Sequence, residues 1–259
     1  MAARFRDKIA IVTGGASGIG RALCEALSER CALVIVADID TERAQRVASA
    51  ITTTGGRAHA MHLDVSQADH VKKLVTDTAS EYGRLDYMFN NAALSLSHRE
   101  VRDVTIGDWH RIIDVNLLGV LYGTIAAYSL MVRQGFGHIV NTASLAGLIG
   151  FPTHIPYGVT KGALVNLSTS LRLEGADLGV KVTVVCPGHV RARTGHGLGL
   201  MGADRAAQKI LRGVARNQAI IVFPLHARIL WRLYRLCPQL LFLLGRKMVR
   251  DFRAAHRET

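Results

Sequence analysis

Residues Thr13–Gly20 have the sequence TGGASGIG, and they lie between a short apolar run and a helical pattern. A strand, a glycine-rich turn and a helix in this order bring backbone N–H groups and the positive end of a helix dipole to one point, where a pyrophosphate can bind. The glycine spacing is G-x-x-x-G-x-G, which differs from the G-x-G-x-x-G of the general dinucleotide fingerprint. Taken alone, the motif is also compatible with a flexible turn that caps a helix.

The rest of the chain repeats this alternation of strand and helix. Apolar runs predict strands at residues 8–13, 33–37, 58–63, 85–90, 137–143, 180–186 and 220–223. Helical patterns occur at residues 19–30, 41–53, 68–82, 106–117, 120–134 and 157–178. Such alternation indicates βαβ units, and continuously apolar strands indicate a parallel sheet that is covered on both faces. We therefore predict an α/β fold: a Rossmann-like, doubly wound parallel sheet of about seven strands between two helical layers.

The composition is that of a globular α/β protein with a basic tail. Hydrophobic residues make up 49% of the 259 residues, and the formal net charge is +12. Residues 225–259 contain eight Arg or Lys and two Asp or Glu, which is about half of the positive surplus. We assign residues 1–224 to a dinucleotide-binding catalytic domain and residues 225–259 to a basic amphipathic extension of that domain. No nucleic-acid-binding motif is found, so nucleic acid is not an expected partner.

A carboxylate follows the second predicted strand at Asp38, about 20 residues beyond the glycines. At this position a carboxylate can accept hydrogen bonds from both ribose hydroxyls of adenosine, and it repels a 2′-phosphate. No Arg or Lys occupies positions 16, 17 or 39 to attract that phosphate. The pattern therefore favours NAD over NADP as the cofactor. The alternative is that Asp38 caps the helix that follows it.

With these residues in view, the chain resembles a short-chain dehydrogenase/reductase (SDR) of the compact single-domain type. The resemblance extends over about residues 8–223. The motifs that together are specific to this family are TGGASGIG, Asp64-Val65, NNAA at 90–93, Asn116, Ser144, Tyr157-x-x-x-Lys161 and Pro187-Gly188. A Tyr-x-x-x-Lys pattern alone is common by chance, but here it follows Ser144 by 13 residues, which is the spacing of the family.

The resemblance implies a bound dinucleotide and an oxidoreductase that acts on CH–OH donors. Asp64 and Val65 are expected to border the adenine, and Asn90 to stabilise the centre of the sheet. The full set of expected cofactor contacts is Gly14, Ser17, Gly18, Ile19, Gly20, Asp38, Asp64, Val65, Asn91, Ala92, Ala93, Tyr157, Lys161, Pro187, Gly188, Val190 and Thr194.

The expected catalytic residues are Asn116, Ser144, Tyr157 and Lys161. Hydride transfer to a carbonyl needs a proton donor beside the oxygen, and alcohol oxidation needs the reverse. A phenol has a pKa of about 10, and a nearby ammonium lowers it. Residues i and i+4 share a helix face, so Lys161 can lie close to Tyr157. The resemblance implies that Ser144 orients the substrate oxygen and that Asn116 binds a water that links Lys161 to solvent.

Two positions depart from the family pattern. Ala93 replaces the more usual glycine, and Ala192 stands where a threonine usually holds the nicotinamide carboxamide. Either Thr194 takes over that role, or backbone groups near Val190 suffice. No spacing of histidines and carboxylates suggests a metal site.

The expected substrate contacts are Ser144, Leu145, His154 and His189. Most neighbouring candidates are apolar, namely Leu94, Leu96, Leu148, Phe151, Leu198, Leu200 and Met201. An apolar or bulky substrate, such as a steroid, an acyl compound or an aromatic alcohol, is consistent with them. An NADPH-dependent carbonyl reductase and a catalytically silent, NAD-binding, membrane-associated scaffold are the alternative functions.

The tail places Arg228, Arg232 and Arg235 on one face of a predicted helix. Its apolar side is formed by Ile229, Leu230, Leu233 and Leu236. Pro238 should kink or end this helix. We expect the apolar side to pack over the substrate mouth or a partner subunit, with a membrane surface as the alternative.

A homodimer or homotetramer is expected. No cysteine pair or signal peptide is recognised, so a cytoplasmic location with possible peripheral membrane contact is expected.

Overall fold

A seven-stranded parallel sheet forms the centre of the computed structural model, which describes residues 4–96, 98–191 and 201–255. Its strands are β1 (Ile9–Thr13), β2 (Leu33–Asp38), β3 (Arg57–His62), β4 (Tyr87–Asn90), β5 (Gly137–Thr142), β6 (Val180–Pro187) and β9 (Ile220–Phe223). They lie in the order β3-β2-β1-β4-β5-β6-β9. Two short strands, β7 (Val190–Arg191) and β8 (Met201–Gly202), pair separately.

Helices cover both faces of the sheet. They are α1 (Gly18–Ser28), α2 (Thr41–Thr53), α3 (Ala68–Tyr82), α4 (Ile106–Ile113), α5 (Gly119–Gln134), α6 (Ile155–Glu174), α7 (Ala203–Ala215), α8 (Leu225–Leu236) and α9 (Pro238–Ala255). The apolar faces of α1, α2 and α7 pack on one side of the sheet, and those of α3, α5 and α6 pack on the other. The predicted three-layer Rossmann-like fold is therefore confirmed.

The predicted elements agree with the structure to within about two residues at most ends, and helices α2 and α3 match at both ends. Helix α7 was not predicted, although its buried Ala206, Ile210 and Val214 recur at helical spacing. The predicted helix 157–178 is helix α6 followed by a separate 3₁₀ turn at Ala176–Leu178. This division follows from Gly175, which begins the turn and whose N–H closes the last turn of α6 on Leu171.

The strand order changes direction between β1 and β4, which are neighbours in the sheet. From β1 the chain builds outward to β3, and from β4 it builds outward to β9. Loops that leave β1 and β4 therefore diverge, and a crevice opens between them at the carboxyl ends of the strands. This topology alone determines where a ligand can reach the middle of the sheet.

Residues 106–134 form a continuous helical stretch of 29 residues, with the π-helical segment Asp114–Leu118 between α4 and α5. Within the described ranges it is the one helix with the length and apolar composition of a membrane span. Val120, Ala127 and Met131 bury this helix against the sheet. Packing on the sheet therefore accounts for part of its apolar composition, as in the core helix of a globular domain.

The C-terminal extension forms two helices, and Pro238 separates them as predicted. One side of α8 packs on the body of the protein through Ala227, Leu230, Trp231 and Tyr234. Of the four residues expected on the packed apolar side, Leu230 lies there. Ile229, Leu233 and Leu236 are instead exposed to solvent, so they do not pack over the cleft, and their packing on a partner subunit stays a prediction. Helix α8 has two apolar sides, and the sheet domain has room for one of them.

A buried polar network ties the central strands to the helices beneath them. The Asn90 side-chain amide of β4 donates to Asn141 Oδ1 of β5 at 2.8 Å, and the Asn141 amide donates to Ser168 Oγ of α6 at 3.0 Å. The Ser168 hydroxyl in turn donates to the Leu164 carbonyl at 2.7 Å. All of these groups are removed from water, so each depends on its protein partner.

We expect Asn141→Ala to lower the free energy of unfolding by about 2 kcal/mol or more, because in a buried site the Asn90 amide loses the nearer of its two acceptors and the Ser168 hydroxyl loses its donor. Asn166→Ala, on the exposed side of α6, is the matched control, with an expected change of about 0.5 kcal/mol or less. Urea denaturation of both variants measures the difference. Equal losses in the two variants would contradict the role given to the network.

Candidate active site

A cleft of about 1010 Å³ opens at the carboxyl ends of β1, β2, β4, β5 and β6. It is lined by these expected cofactor contacts: Gly14, Ser17, Gly18, Ile19, Asp38, Asp64, Val65, Asn91, Ala92, Ala93, Tyr157, Lys161, Pro187, Gly188 and Val190. Gly20 does not line it, and Thr194 lies outside the described residues. The expected substrate contacts Ser144, Leu145, His154 and His189 line the same cleft. Residues that are far apart in the chain are therefore brought to one site.

The glycine-rich turn is packed tightly against the loop that follows β4. Gly14 has a φ of +64°, and a Cβ there would lie 2.8 Å from Ala92 Cα. A Cβ on Gly20 would collide with the Gly14 carbonyl oxygen. Gly20 thus has a packing role, since it lets helix α1 begin directly under the turn. The Thr13 hydroxyl joins the two loops by accepting from the Asn91 and Ala92 N–H groups at 3.0 and 3.1 Å.

Asp38 lies at the end of β2 with its carboxylate turned toward the glycine-rich turn. It accepts from the Ala16 N–H at 2.9 Å and from the Asp40 N–H at 3.0 Å. The cap of helix α2 is Asp40, whose side chain accepts from the Arg43 N–H. The alternative in which Asp38 serves as that cap is therefore wrong. Its carboxylate is instead positioned where the cleft passes the end of β2.

Asp64 and Val65 follow β3 and line the same end of the cleft. The Asp64 carboxylate accepts from both the N–H and the hydroxyl of Ser66, at 2.9 and 2.7 Å. The Ser66 hydroxyl bond is the main cause that lowers the pKa of Asp64 below its ordinary value. Val65 is buried, and the absence of a side chain at Gly119 lets helix α5 pack against it. Both predicted residues therefore have a defined position on the wall of the cleft.

Tyr157 and Lys161 lie one turn apart on helix α6 and face the cleft together. The Lys161 Nζ atom is 5.6 Å from the centroid of the Tyr157 ring and donates to the Thr142 carbonyl at the end of β5, at 2.9 Å. Ser144 follows β5 and accepts from the Ala146 N–H at 3.2 Å. Its hydroxyl also lies close enough to the Tyr157 phenol to lower the pKa of that phenol. The structure thus brings the three predicted side chains into one cluster.

The proton affinities of this cluster are set first by burial. Lys161 is fully buried, and desolvation lowers the pKa of its ammonium from 10.5 to about 8. Burial raises the pKa of Tyr157 above its ordinary value of 10, while the neighbouring Ser144 hydroxyl acts in the opposite direction. The expected lowering by Lys161 is therefore not seen in the chain by itself. The physical reason is that loss of water costs the phenolate more than its neighbours supply.

Asn116 lies in the π-helical segment and is fully buried. Its Oδ1 accepts from the Leu94 N–H at 2.7 Å, and its Nδ2 donates to the Leu94 carbonyl at 2.8 Å. The side chain therefore holds the loop after β4, which forms part of the cleft wall. It makes no hydrogen bond with Lys161 among the described side chains, so the predicted water link remains a prediction.

His154 and His98 are in contact at the mouth of the cleft, with ring centroids 4.3 Å apart and ring planes inclined by 41°. His154 also meets the Tyr157 ring edge-on at 5.6 Å, and its Nε2 lies 3.3 Å from the Ser95 hydroxyl. Desolvation is the main cause that lowers the pKa of His154, with help from His98. A neutral imidazole is therefore next to the phenol at neutral pH.

Several site residues were not found by sequence reasoning. The Thr13 hydroxyl, the Ser95 hydroxyl, His98 and Arg111 contribute to the cleft or its walls. Thr13 is the first residue of the glycine-rich motif, and Ser95 lies two residues after NNAA, so their positions along the chain were a usable signal. His98 and Arg111 carried no such signal, because loop conformation and helix packing bring them to the site.

The residues present fit a dinucleotide. The glycine-rich turn leaves open space at Gly18, which has a φ of +51° and no atom near a would-be Cβ. The N-terminus of α1 begins at that point with backbone N–H groups free to meet an anion. Within residues 4–96, 98–191 and 201–255, no group of three or more His, Cys, Asp or Glu side chains is placed to hold a metal ion.

We expect Lys161→Met to raise the stability of the fold, by up to about 3 kcal/mol at pH 7, which is the free-energy equivalent of moving a pKa from 10.5 to about 8. Below pH 8 the folded protein carries the full cost of a buried ammonium. Between about pH 8 and 10.5 the folded state loses this proton first, so wild-type stability rises relative to the variant.

Urea denaturation at pH 7 and pH 9.5 measures this difference. Lys72→Met, at an exposed position of α3, is the control and should show no such pH-dependent gap. A gap between wild type and Lys161→Met that does not narrow at the higher pH would contradict the assigned protonation.

Comparison with known proteins identifies relatives of the whole fold. The family profile described as short chain dehydrogenase matches residues 8–200. Cyclohexanol dehydrogenase of Acinetobacter sp. (strain SE19) is 35% identical over 191 residues, which cover 74% of this chain and 76% of that protein. Meso-2,3-butanediol dehydrogenase of Serratia marcescens is 34% identical over 212 residues, covering 82% of this chain and 83% of that protein.

The fold has equally clear structural relatives. The crystal structure of a short chain dehydrogenase/reductase from Burkholderia phymatum in complex with NAD superimposes with a TM-score of 0.84 at 25% sequence identity. The match covers 92% of this chain and 96% of that one. The motifs, the sheet order, the Ser144–Tyr157–Lys161 cluster and these matches lead to one conclusion: this chain belongs to the short-chain dehydrogenase/reductase family of oxidoreductases, which use a nicotinamide cofactor.

Proposed function

We propose that the protein is an NAD-dependent dehydrogenase that interconverts secondary alcohols and ketones with a largely apolar skeleton. The observation that supports this most directly is the cluster of Ser144, Tyr157 and Lys161 on the wall of the cleft. Together these side chains offer a proton donor, a group that orients an oxygen, and a positive charge. A carbonyl reduction or an alcohol oxidation needs these three functions.

Each of these three residues has its own role in the reaction. Tyr157 donates a proton to the substrate oxygen during reduction and accepts it during oxidation, and Ser144 holds that oxygen beside the phenol. When bound, the nicotinamide supplies or accepts the hydride. Lys161 holds the nicotinamide ribose and places positive charge near the phenol. Since burial raises the pKa of Tyr157, the chain alone favours the protonated phenol, and oxidation should be favoured as pH rises.

The preference for NAD rests on the carboxylate of Asp38. One of its oxygens accepts from the Ala16 N–H in the glycine-rich turn, and the other accepts from the Asp40 N–H in the loop after β2. A 2′-phosphate placed at the end of β2 would meet this negative charge. Arg43, a basic side chain nearby on α2, is paired with Asp40 at 3.1 Å. These charges support the proposal that the ribose bound here is unphosphorylated.

The preference for an apolar substrate rests on the far end of the cleft. Leu94, Leu96, Leu145 and Phe151 line it, with the His98–His154 pair as its polar part. Cyclohexanol dehydrogenase, a relative over three quarters of its own length, is named for an alcohol of this kind. A cyclic or aromatic secondary alcohol with few polar groups is the substrate class that this wall fits.

Assembly is part of the same proposal. Ile125 on α5 and Val159 on α6 are large apolar side chains that are about half exposed. An apolar face of this kind supports pairing of α5 and α6 between two copies in a homodimer or homotetramer. We propose that this oligomer works in the cytoplasm.

Tyr157→Phe should reduce turnover by at least about a hundredfold while leaving NADH binding intact, because it removes the proton donor without changing the shape of the ring. The measurement is NADH formation across a panel of cyclohexanol, steroid and aromatic alcohols. Tyr128→Phe, on a partly buried ring of α5 away from the cleft, is the matched control. Full activity in Tyr157→Phe, or absence of turnover in the wild type across the panel, would contradict the proposal.

Asp38→Asn should weaken NADH binding by about tenfold and strengthen NADPH binding, because the charge that selects the ribose is lost. Fluorescence titration with both reduced cofactors measures the change. Asp177→Asn, at an exposed position after α6, is the matched control and should leave the cofactor preference unchanged. Tighter binding of NADPH than NADH by the wild type would count against the role of Asp38.

A further inference from the structure

Helix α8 carries an exposed apolar row on the side that faces away from the sheet domain. Leu225, Ile229, Leu233 and Leu236 recur at intervals of three and four residues, so they form one stripe. Their exposed fractions are 70%, 49%, 44% and 83%. Exposed leucines that occur singly need no explanation, but a continuous stripe on one helix does.

A row of arginines runs beside this stripe. Arg228, Arg232 and Arg235 are exposed and also recur at helical spacing. No acidic residue occurs in α8. Among the described side chains, no carboxylate forms an ion pair with any of the three. The Arg235 guanidinium lies over the Trp231 ring at 5.6 Å. The helix thus presents apolar and cationic rows side by side to solvent.

Helix α9 is likewise apolar and basic on its exposed surface. Phe242, Leu243, Leu244 and Met248 are exposed. Residues 225–255 contain seven Arg or Lys and one Asp, a net charge of +6, which is half of the +12 of the whole chain in 31 residues. Arg253 is paired with Glu100 at 2.7 Å, which ties α9 to the loop after β4. The two helices, which we call the C-terminal hairpin (Leu225–Ala255), are therefore anchored to the domain and basic on the outside.

We propose that the C-terminal hairpin docks on the surface of an anionic lipid membrane, with the Leu225–Leu236 stripe in the interfacial region and the arginine row at the phosphates. An interfacial helix combines an apolar face with flanking Arg or Lys, whose long side chains extend back to the lipid headgroups. Anionic lipids supply the negative charge that the hairpin lacks.

A second copy of the chain is a poorer occupant of the same surface. Contact between two copies through this stripe would bring both arginine rows to one interface, and α8 offers no carboxylate to pair with them. Like charges directly across an interface oppose association. A nucleic acid could meet the arginines, but it would leave the four apolar side chains without an apolar partner.

Docking in this way brings the mouth of the cleft close to lipid. The inner side of α8 packs through Ala227, Trp231 and Tyr234 on a cluster that includes Leu145 and lies beside Phe151. Leu145 and Phe151 also line the cleft. The cleft wall is therefore about one helix diameter, on the order of 10 Å, from the outer stripe. Entry of an apolar substrate into the cleft from the membrane depends on the proposed function. The docking of the hairpin on the membrane does not depend on it.

Vesicle flotation of the full-length protein tests the docking. We expect flotation with phosphatidylcholine vesicles in which about a third of the lipid is phosphatidylglycerol, little flotation with phosphatidylcholine alone, and weakening at about 1 M salt. Ile229→Ser/Leu233→Ser and Arg228→Gln/Arg232→Gln/Arg235→Gln should each lower the partition coefficient by at least about tenfold. All five positions are exposed, so these variants should fold.

Ile106→Ser/Leu173→Ser removes two apolar side chains that are 70% and 79% exposed elsewhere on the surface, and it is the matched control with unchanged flotation. NADH binding and thermal unfolding of every variant report on the fold independently of turnover. The proposal is overturned if the wild type does not float with anionic vesicles, if it floats equally with neutral ones, or if the stripe variant floats like the wild type. Light scattering that shows loss of a dimer in the stripe variant, with flotation unchanged, would assign the stripe to a second copy.

Discussion

The site depends on one energetically unfavourable arrangement, the burial of the Lys161 ammonium at the end of the central strands. A buried ammonium persists only where an acceptor and the surrounding packing hold it. Here the acceptor is the carbonyl of Thr142, which is the last residue of β5. Because β5 is flanked by β4 and β6, this carbonyl is as rigid as the sheet itself. The position of Lys161, and with it the position of Tyr157 one turn earlier, is therefore set by the sheet.

The same rigidity extends to both loops of the crevice. Thr13 joins the glycine-rich turn to the loop after β4, and Asn116 holds that loop one step further along at Leu94. These contacts are made by groups whose partners are backbone atoms, so they determine where the loops run. The result is a cleft wall that is largely formed before any ligand arrives, which lowers the entropic cost of binding.

In the C-terminal hairpin, the two sides of helix α8 have different surroundings. The inner side of α8 completes the core beside Leu145, and its outer side keeps a second apolar row in solvent. Exposed apolar area of this kind lowers solubility unless charge surrounds it. The dense positive charge of residues 225–255 supplies that compensation in water. The same positive charge also attracts this face of the helix to negatively charged surfaces.

The order of strands and helices, the turn at Thr13–Gly20, and the identities of Ser144, Tyr157 and Lys161 could all be predicted from the chain alone. The first two depend on local spacing and on the rule that strand ends meet at one edge of a parallel sheet, whereas the three side chains were identified through the resemblance of the motifs to the short-chain dehydrogenase/reductase family. The two-sided nature of α8, the clamp of Asn116 on Leu94, and the pairing of His98 with His154 were decided by tertiary structure. In each case the outcome depends on which neighbour fills the space beside a side chain, and residues distant in the sequence determine that. The direction of the Tyr157 pKa was decided in the same way, because burial is a property of the folded protein and no spacing in the sequence reports it.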